Sequence, residues 1–239
     1  MNKKEKIAIG WCDNGITDGF FTESLVNIAL NSSNSGWEIS ETIRVQGNQI
    51  AIQRQKLIDH WFNNLKSDWL LCVDSDICLN MDAIKKIFDT ANKNTHKIVS
   101  GIYFIAKEHN GSLPIIMPCI FDDVNDKLIK YHHPLPKESI IKVDCAGLGL
   151  VVIHRSVIKK LKDEYGHNSF LFNEIYEQDH LLGEDISFFR KCKKINIPVY
   201  AHTGAIVKHI KRVAWDMDYY TLYWNQVALQ EQNKNTPPN

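Results

Sequence analysis

Apolar and polar positions follow two alternating rhythms through the first hundred residues. Lys6 to Trp11 is a short apolar run and reads as a strand. Asp18 to Leu30 places Phe21, Leu25 and Ile28 at helical spacing, with Thr17 or Asp18 as the cap. Trp37 to Val45 alternates in part, as a strand does. Asn48 is placed to cap a helix reaching Leu65, whose apolar stripe is Leu57, Ile58, Trp61, Phe62 and Leu65. Trp69 to Val73 is continuously apolar, as in a strand buried on both faces. Asn80 then caps a helix with Ile84, Ile87, Phe88 and Ala91 inward, and Lys97 to Phe104 is a further strand. Strands alternating with helices predict an α/β fold with a mostly parallel sheet.

The second half has a different rhythm. Ile115 to Asp122 and Leu128 to His132 flank Asn125-Asp126, a hairpin turn by its composition. Lys142 to His154 is rich in Val, Ile and Gly. Ser156 caps a short helix holding Val157, Ile158 and Leu161 and closed by Gly166. Residues 167–182 show no clear period and read as an active-site loop. Glu184 to Lys194 is a helix, and Pro198 to Ile210 is extended. Residues 231–239 are polar, end in Pro-Pro-Asn and read as a disordered tail. No internal repeat or interdomain linker interrupts residues 1–230, which read as one domain. A nucleotide-binding half covers about 5–105 and an acceptor half about 106–212.

Composition narrows the classes. At 239 residues with 44% hydrophobic and 23% charged positions, the chain has the make-up of a globular protein. A formal net charge of zero provides no global basic field for nucleic acid or anionic membrane. The six cysteines form no C-x-x-C, and free thiols in a reducing compartment are expected. The charged start lacks the apolar core of a signal peptide, and no apolar stretch approaches membrane-spanning length. A cytoplasmic protein without integral membrane contact is expected.

The apolar run at Trp69 ends in Asp74-Ser75-Asp76. Carboxylates at the end of a buried strand are costly unless something positive meets them. A divalent cation carrying phosphate oxygens would suit. In extended backbone residues i and i+2 share a side, so both carboxylates would serve one site. An isolated Asp-x-Asp would more simply cap a helix or sit in a solvated turn. Gly183-Glu184-Asp185 precedes a helix, where acids complement the macrodipole, or where one carboxylate could act as a general base. His209 ends an extended run and could ligate a metal. The chain has ten histidines, with His202 and the His132-His133 pair as competitors. Arg54 shares a helical face with Ile58 and Trp61. Either its stem lies on apolar surface with its head in water, or its planar fork reaches a diphosphate. Gly147-Leu148-Gly149 leads into a β-branched strand without the dinucleotide fingerprint, so its glycines permit a close backbone approach to substrate or a bulge.

Taken in order, these residues resemble the GT-A glycosyltransferases, in particular the family 2-like enzymes of bacteria and phages. The resemblance spans roughly residues 5–212. It implies a GT-A, Rossmann-like fold, with helices on both sheet faces and a smaller antiparallel acceptor-side region. It implies a nucleotide-diphosphate sugar donor and Mn2+ or Mg2+ as cofactor. Asp76 and His209 would hold the metal, with Asp74 on the metal or the ribose. Asp185 would be the base of an inverting reaction, with Glu184 orienting it or binding acceptor. Arg54 would lie near the phosphates, and Asp13 and Asn14 near the base, with Gly147 and Gly149 in the donor site. The acceptor stays open: a saccharide, a protein or a modified DNA base.

Three rivals remain. A sugar-phosphate nucleotidyltransferase shares the sheet and carboxylates but would show a basic Gly-rich loop where Gly10-Trp11-Cys12-Asp13 stands. An Asp-x-Asp phosphatase would pair Asp13 with a second acid two residues on. A non-catalytic sugar-nucleotide-binding module would not need the full acid set. Trp215 to Tyr223 could flank an acceptor, but core packing or a dimer contact is the simpler reading.

Overall fold

The computed structural model describes residues 5–32, 37–109, 112–124, 128–177, 180–213 and 215–234. The Asn125-Asp126 turn lies outside these. The strands that flank it, β8 (Ile120–Val124) and β9 (Leu128–Tyr131), pair antiparallel as a hairpin requires.

A seven-stranded sheet carries the fold. Its members are β1 (Glu5–Asp13), β2 (Trp37–Gln46), β3 (Trp69–Asp74), β5 (Ile98–Ile102), β10 (Ile140–Val143), β12 (Leu150–His154) and β15 (Val199–Ile206). Their spatial order is β10-β15-β5-β12-β3-β1-β2. β1, β2, β3, β5 and β15 run one way, and β12 and β10 run against them. The mostly parallel sheet expected from the sequence is present, with one departure. β12 is inserted antiparallel between β3 and β5, next to the Asp-x-Asp strand. Its residues Leu150, Val151, Val152 and Ile153 are fully buried, each contributing about 1.5–3 kcal/mol.

Helices cover both faces. Adjacent strand residues face opposite ways. Gly10 meets Leu57 of α2 (Ile50–Asn64), and its neighbour Trp11 meets Phe21 of α1 (Gly19–Asn31) at 5.9 Å. α3 (Met81–Thr90) packs on β5 and β15 through Ala83, Ile84 and Ile87. α4 (Arg155–Tyr165) lies beside α2 and α5 (Glu184–Lys194). α6 (Met217–Lys234) completes the six helices among the described residues.

Several local expectations are met. Asp18 caps α1 by accepting from Phe20 N, Asn80 caps α3 by accepting from Ala83 N, and Gly166 closes α4 at φ 98°. Others are corrected. Gln49, not Asn48, stands at the N-cap of α2, with no side-chain bond. The far end of α2 is closed from outside: Arg155 donates to the carbonyls of Trp61, Phe62 and Leu65 at 3.3, 2.7 and 2.8 Å. His154, not Ser156, caps α4, its ring nitrogen accepting from Ser156 N at 3.2 Å. Residues 167–182 are not a plain loop. Leu171 and Phe172 enter the core, and β13 (Ile175–Glu177) pairs with β14 (His180–Leu182). α6 runs through 231–234 of the segment expected to be disordered, and 235–239 lie outside the described residues.

The expected Lys142–His154 strand breaks into β10, the two-residue β11 (Cys145–Ala146) and β12. Pro198–Ile210 divides into β15 and β16 (Lys208–His209), which pairs with β4 (Ile77–Cys78). The remaining antiparallel pairs among the described residues are β11 with β8, and β6 (Phe104–His109) with β7 (Ser112–Pro118). All six cysteines are free, and no helix among the described residues is long and apolar enough to cross a membrane.

Candidate active site

Asp74 and Asp76 meet different protein partners. β3 ends at Asp74, and Ser75-Asp76 form a turn, so the extended alternation lapses there. Asp74 reaches Arg54 Nη2 at 3.0 Å, whereas Asp76 faces β16. Two distinct corners result, both at the end of the sheet where β1 and β3 finish.

The first corner is built by the β4–β16 pair. His209 lies opposite Ile77, and Ile210 N donates to Asp76 O at 2.8 Å. His209 Nε2 then lies 3.2 Å from Asp76 Oδ2. Its Nδ1 is 2.8 Å from Phe104 O. A carbonyl only accepts, so Nδ1 carries the hydrogen, and Nε2 is the nitrogen turned to the carboxylate. The cis edge of an octahedral ion with metal–ligand bonds of about 2.1 Å is about 3.0 Å, close to the observed separation. The pair therefore fits two positions on a divalent ion, with the Phe104 carbonyl orienting the imidazole from behind. Among the described residues no group of three or more His, Cys, Asp and Glu side chains converges, so other ligands would come from substrate or water. Lys211 Nζ also touches Asp76 Oδ2, at 2.7 Å. Burial opposes the charge on Asp76, but the bonds from His209 and Lys211 outweigh it and bring its carboxyl down to about 2.

The second corner centres on Arg54. Its guanidinium joins Asp74 and Glu184, with both Arg54 and Glu184 largely buried. The Arg54 head is not in water, and its protein partners are carboxylates. Lys162, itself buried, holds α2 by donating to Asp59 Oδ1 at 2.7 Å. α5 is fixed by the bidentate Arg190–Asp123 pair, both contacts 2.9 Å, and by Phe188 stacked on Phe172 at 4.9 Å. These anchors hold Glu184 and Asp185 at the first turn of α5. Asp185 accepts from Ile186 N at 2.8 Å. Burial pushes its carboxyl up to about 6, against the pull of Arg54 and with the push of Glu184.

Tyr103 joins the corners, and the sequence reading missed it. Its ring meets His209 edge-on at 5.2 Å, and its hydroxyl accepts from Gly149 N at 3.3 Å. It sits between β5 and β6 in an ordinary apolar run, so no sequence signal marks it. Gly147 and Gly149 are glycines because of it. A Cβ on Gly147 would lie 2.0 Å from Tyr103 Oη and 2.3 Å from Cys119 Sγ. One on Gly149 would lie 2.8 Å from Asp74 Oδ2 and 2.9 Å from Tyr103 Cζ. The close approach expected at these glycines is thus to protein side chains.

Asp13 is not open to a ligand. Arg44 holds it through Nε at 2.7 Å and Nη2 at 2.9 Å, and Gly15 N donates at 2.8 Å. The Arg44 hydrogen bonds, foremost, lower its carboxyl below the ordinary value. Asp13 shapes the loop after β1. Asn14 is exposed and accepts from Ile16 N at 3.3 Å. With Thr17, Asp18, Ser75, Asp76, Lys211 and Arg212 it lines an open cleft of about 320 Å3. The competing histidines lie elsewhere: His202 on β15 accepts from Gly204 N, and His132 faces Asp122. The Trp215–Tyr223 stretch is not core, because Trp215, Tyr220 and Tyr223 are exposed.

No protein-family model matches the chain, and no curated protein matches it. Solved structures are similar in fold. GalNAc-T7 with UDP, GalNAc and Mn2+ aligns at a TM-score of 0.52 and 11% identity, over 93% of this chain and 48% of that one. A197 from STIV aligns at 0.49 and 17%, over 87% and 86%. CMP:2-keto-3-deoxy-manno-octonic acid synthetase complexed with CTP aligns at 0.43 and 8%, over 96% and 100%. The likeness to GalNAc-T7 is one of fold, a mixed α/β architecture on a mostly parallel sheet.

Proposed function

We propose that this chain is a metal-dependent glycosyltransferase, moving a sugar from a UDP- or GDP-sugar to an acceptor hydroxyl. One observation carries the reading: the pair Asp76 and His209 and an arginine-braced acid cluster at α5 meet at one end of the sheet through Tyr103. Ligands of open α/β sheets bind beyond the carboxyl ends of strands.

Asp76 and His209 would hold Mn2+ or Mg2+, whose chemistry is to offset the charge growing on the departing diphosphate. Asn14 and the loop after β1 would line the nucleoside side of the cleft. Asp185 would accept the proton of the acceptor hydroxyl as that oxygen attacks the anomeric carbon from the face opposite the diphosphate. A carboxyl near 6 is matched to that task, being ionised at neutral pH yet more basic than an ordinary aspartate. Arg54 ion-pairs with Glu184 and Asp74 and offsets part of their charge beside Asp185, the carboxylate that would act as base. Gly149 leaves room beside Asp74, and Gly147 leaves room for the Tyr103 hydroxyl and the Cys119 sulfur.

The test is a panel of UDP, GDP, CDP and dTDP sugars, scored by thermal shift and nucleotide release with Mn2+ or with EDTA. Ligands that bind only the folded state raise its apparent stability. Metal-dependent stabilisation by one nucleotide class, with slow release of that diphosphate, is expected. Indifference to all four would overturn the reading and move the search to nucleoside triphosphates, the substrates of a nucleotidyltransferase.

A further inference from the structure

Asp76 Oδ2 is shared. His209 Nε2 approaches it at 3.2 Å and Lys211 Nζ at 2.7 Å. The ammonium thus stands on the oxygen that a divalent ion would need. Lys211 is able to leave. Its side chain is 53% exposed, it follows β16 in backbone without regular structure, and its stem has four flexible carbons. It also has somewhere to go, since Lys211 and Arg212 line the cleft beside Ser75 and Asp76. His209, by contrast, is fixed from behind by Phe104 O.

We infer that Lys211 is an exchangeable cation of the donor site. It occupies Asp76 when no metal is bound, yields that oxygen to the metal, and then pairs with the diphosphate that arrives with it. The inference rests on the proposed metal role of Asp76 and His209 and adds a residue with two successive partners. Its consequence is unusual for a phosphate-binding lysine. Removing it should tighten the protein's hold on the metal alone while loosening its hold on metal and diphosphate together.

The experiment is Mn2+ titration followed by electron paramagnetic resonance, on the full chain, with Mn2+ alone and with Mn2+ plus inorganic pyrophosphate. Wild type, Lys211→Met and Asp76→Ala are compared. Lys211→Met should bind Mn2+ alone about two- to fivefold more tightly, the size of one exposed ion pair. It should bind pyrophosphate in the presence of Mn2+ more weakly than wild type by a similar factor. Lys211→Arg should keep the competition, since it keeps a charge in reach. If Mn2+ binding depends on Asp76 but Lys211→Met leaves it unchanged or weaker, the exchange is overturned while the metal site stands. If Mn2+ binding is absent or indifferent to Asp76→Ala, the metal site is wrong and the exchange falls with it.

Discussion

Arg54 on α2 is ion-paired with Glu184 at the start of α5, a residue 130 positions further along the chain. The same guanidinium holds Asp74, so three elements of the fold meet at one buried charge. Removing one member of a buried pair leaves the others uncompensated, at about 3–5 kcal/mol. Arg54→Met should therefore lower unfolding free energy by that order in urea titrations. Adding Glu184→Gln should recover part of the loss, because it removes one of the two stranded carboxylates. Strict additivity in this double-mutant cycle would show that the two groups do not interact.

Asp185 ties activity to stability. Its carboxyl is raised to about 6, so between the ordinary aspartate value near 3.8 and about 6 the folded protein holds a proton that the unfolded chain has released. Stability from this group is present below that window and is lost as pH rises through about 6. Asp185→Asn should thus raise the melting temperature at pH 7.5, with the gain shrinking towards pH 4. In the wild type, transfer should fall about tenfold per pH unit below 6, as expected for a base that must be ionised. Transfer by Asp185→Asn at the wild-type rate would remove Asp185 from the reaction.

Gly147 is a packing requirement. A methyl group there would lie within 2.3 Å of both the Tyr103 hydroxyl and the Cys119 sulfur. Overpacking of this kind costs about 1–3 kcal/mol. Gly147→Ala should destabilise by that amount, and combining it with Tyr103→Phe and Cys119→Ala should restore much of it. A Gly147→Ala variant as stable as wild type would mean that the Tyr103 ring is free to move.

The metal corner makes a separable prediction. Asp76→Ala and His209→Ala should each abolish the Mn2+-dependent thermal shift given by the preferred nucleotide. Asp76→Ala should keep its melting temperature in EDTA within a few degrees, because its side chain is partly exposed, whereas His209→Ala also loses packing on Tyr103 and the bond to Phe104 O and should be less stable in EDTA. Survival of the Mn2+-dependent shift in both variants would place the ion elsewhere.

Burial pushes the thiols of Cys12, Cys72 and Cys119 up to about 12 and raises those of Cys145 and Cys192 well above the usual range. The thiolate is the reactive form. These five should resist iodoacetamide at pH 7.5 in the native protein and react once it is unfolded in urea, as read by mass spectrometry of peptides. Rapid native labelling of Cys119 would indicate an opening beside Tyr103.

Sequence by itself determined the elements and the chemical inventory. Periodicity placed α1, α3, α4 and α5 and the strands flanking them, because each element buries a face on its own period. It also named Asp74, Asp76, Glu184, Asp185, His209 and Arg54 as the residues with work to do. Tertiary structure decided what those residues do to one another. A turn at Ser75 follows the strand and the two aspartates take different partners, and no local pattern encodes that turn. Arg54 meets acids because α5 returns to α2 from over a hundred residues away. Tyr103 matters only because β12 inserts beside β3 and brings Gly149 to its hydroxyl. Alternation and capping are local and legible along the chain, whereas the pairing of charges depends on which distant strands become neighbours.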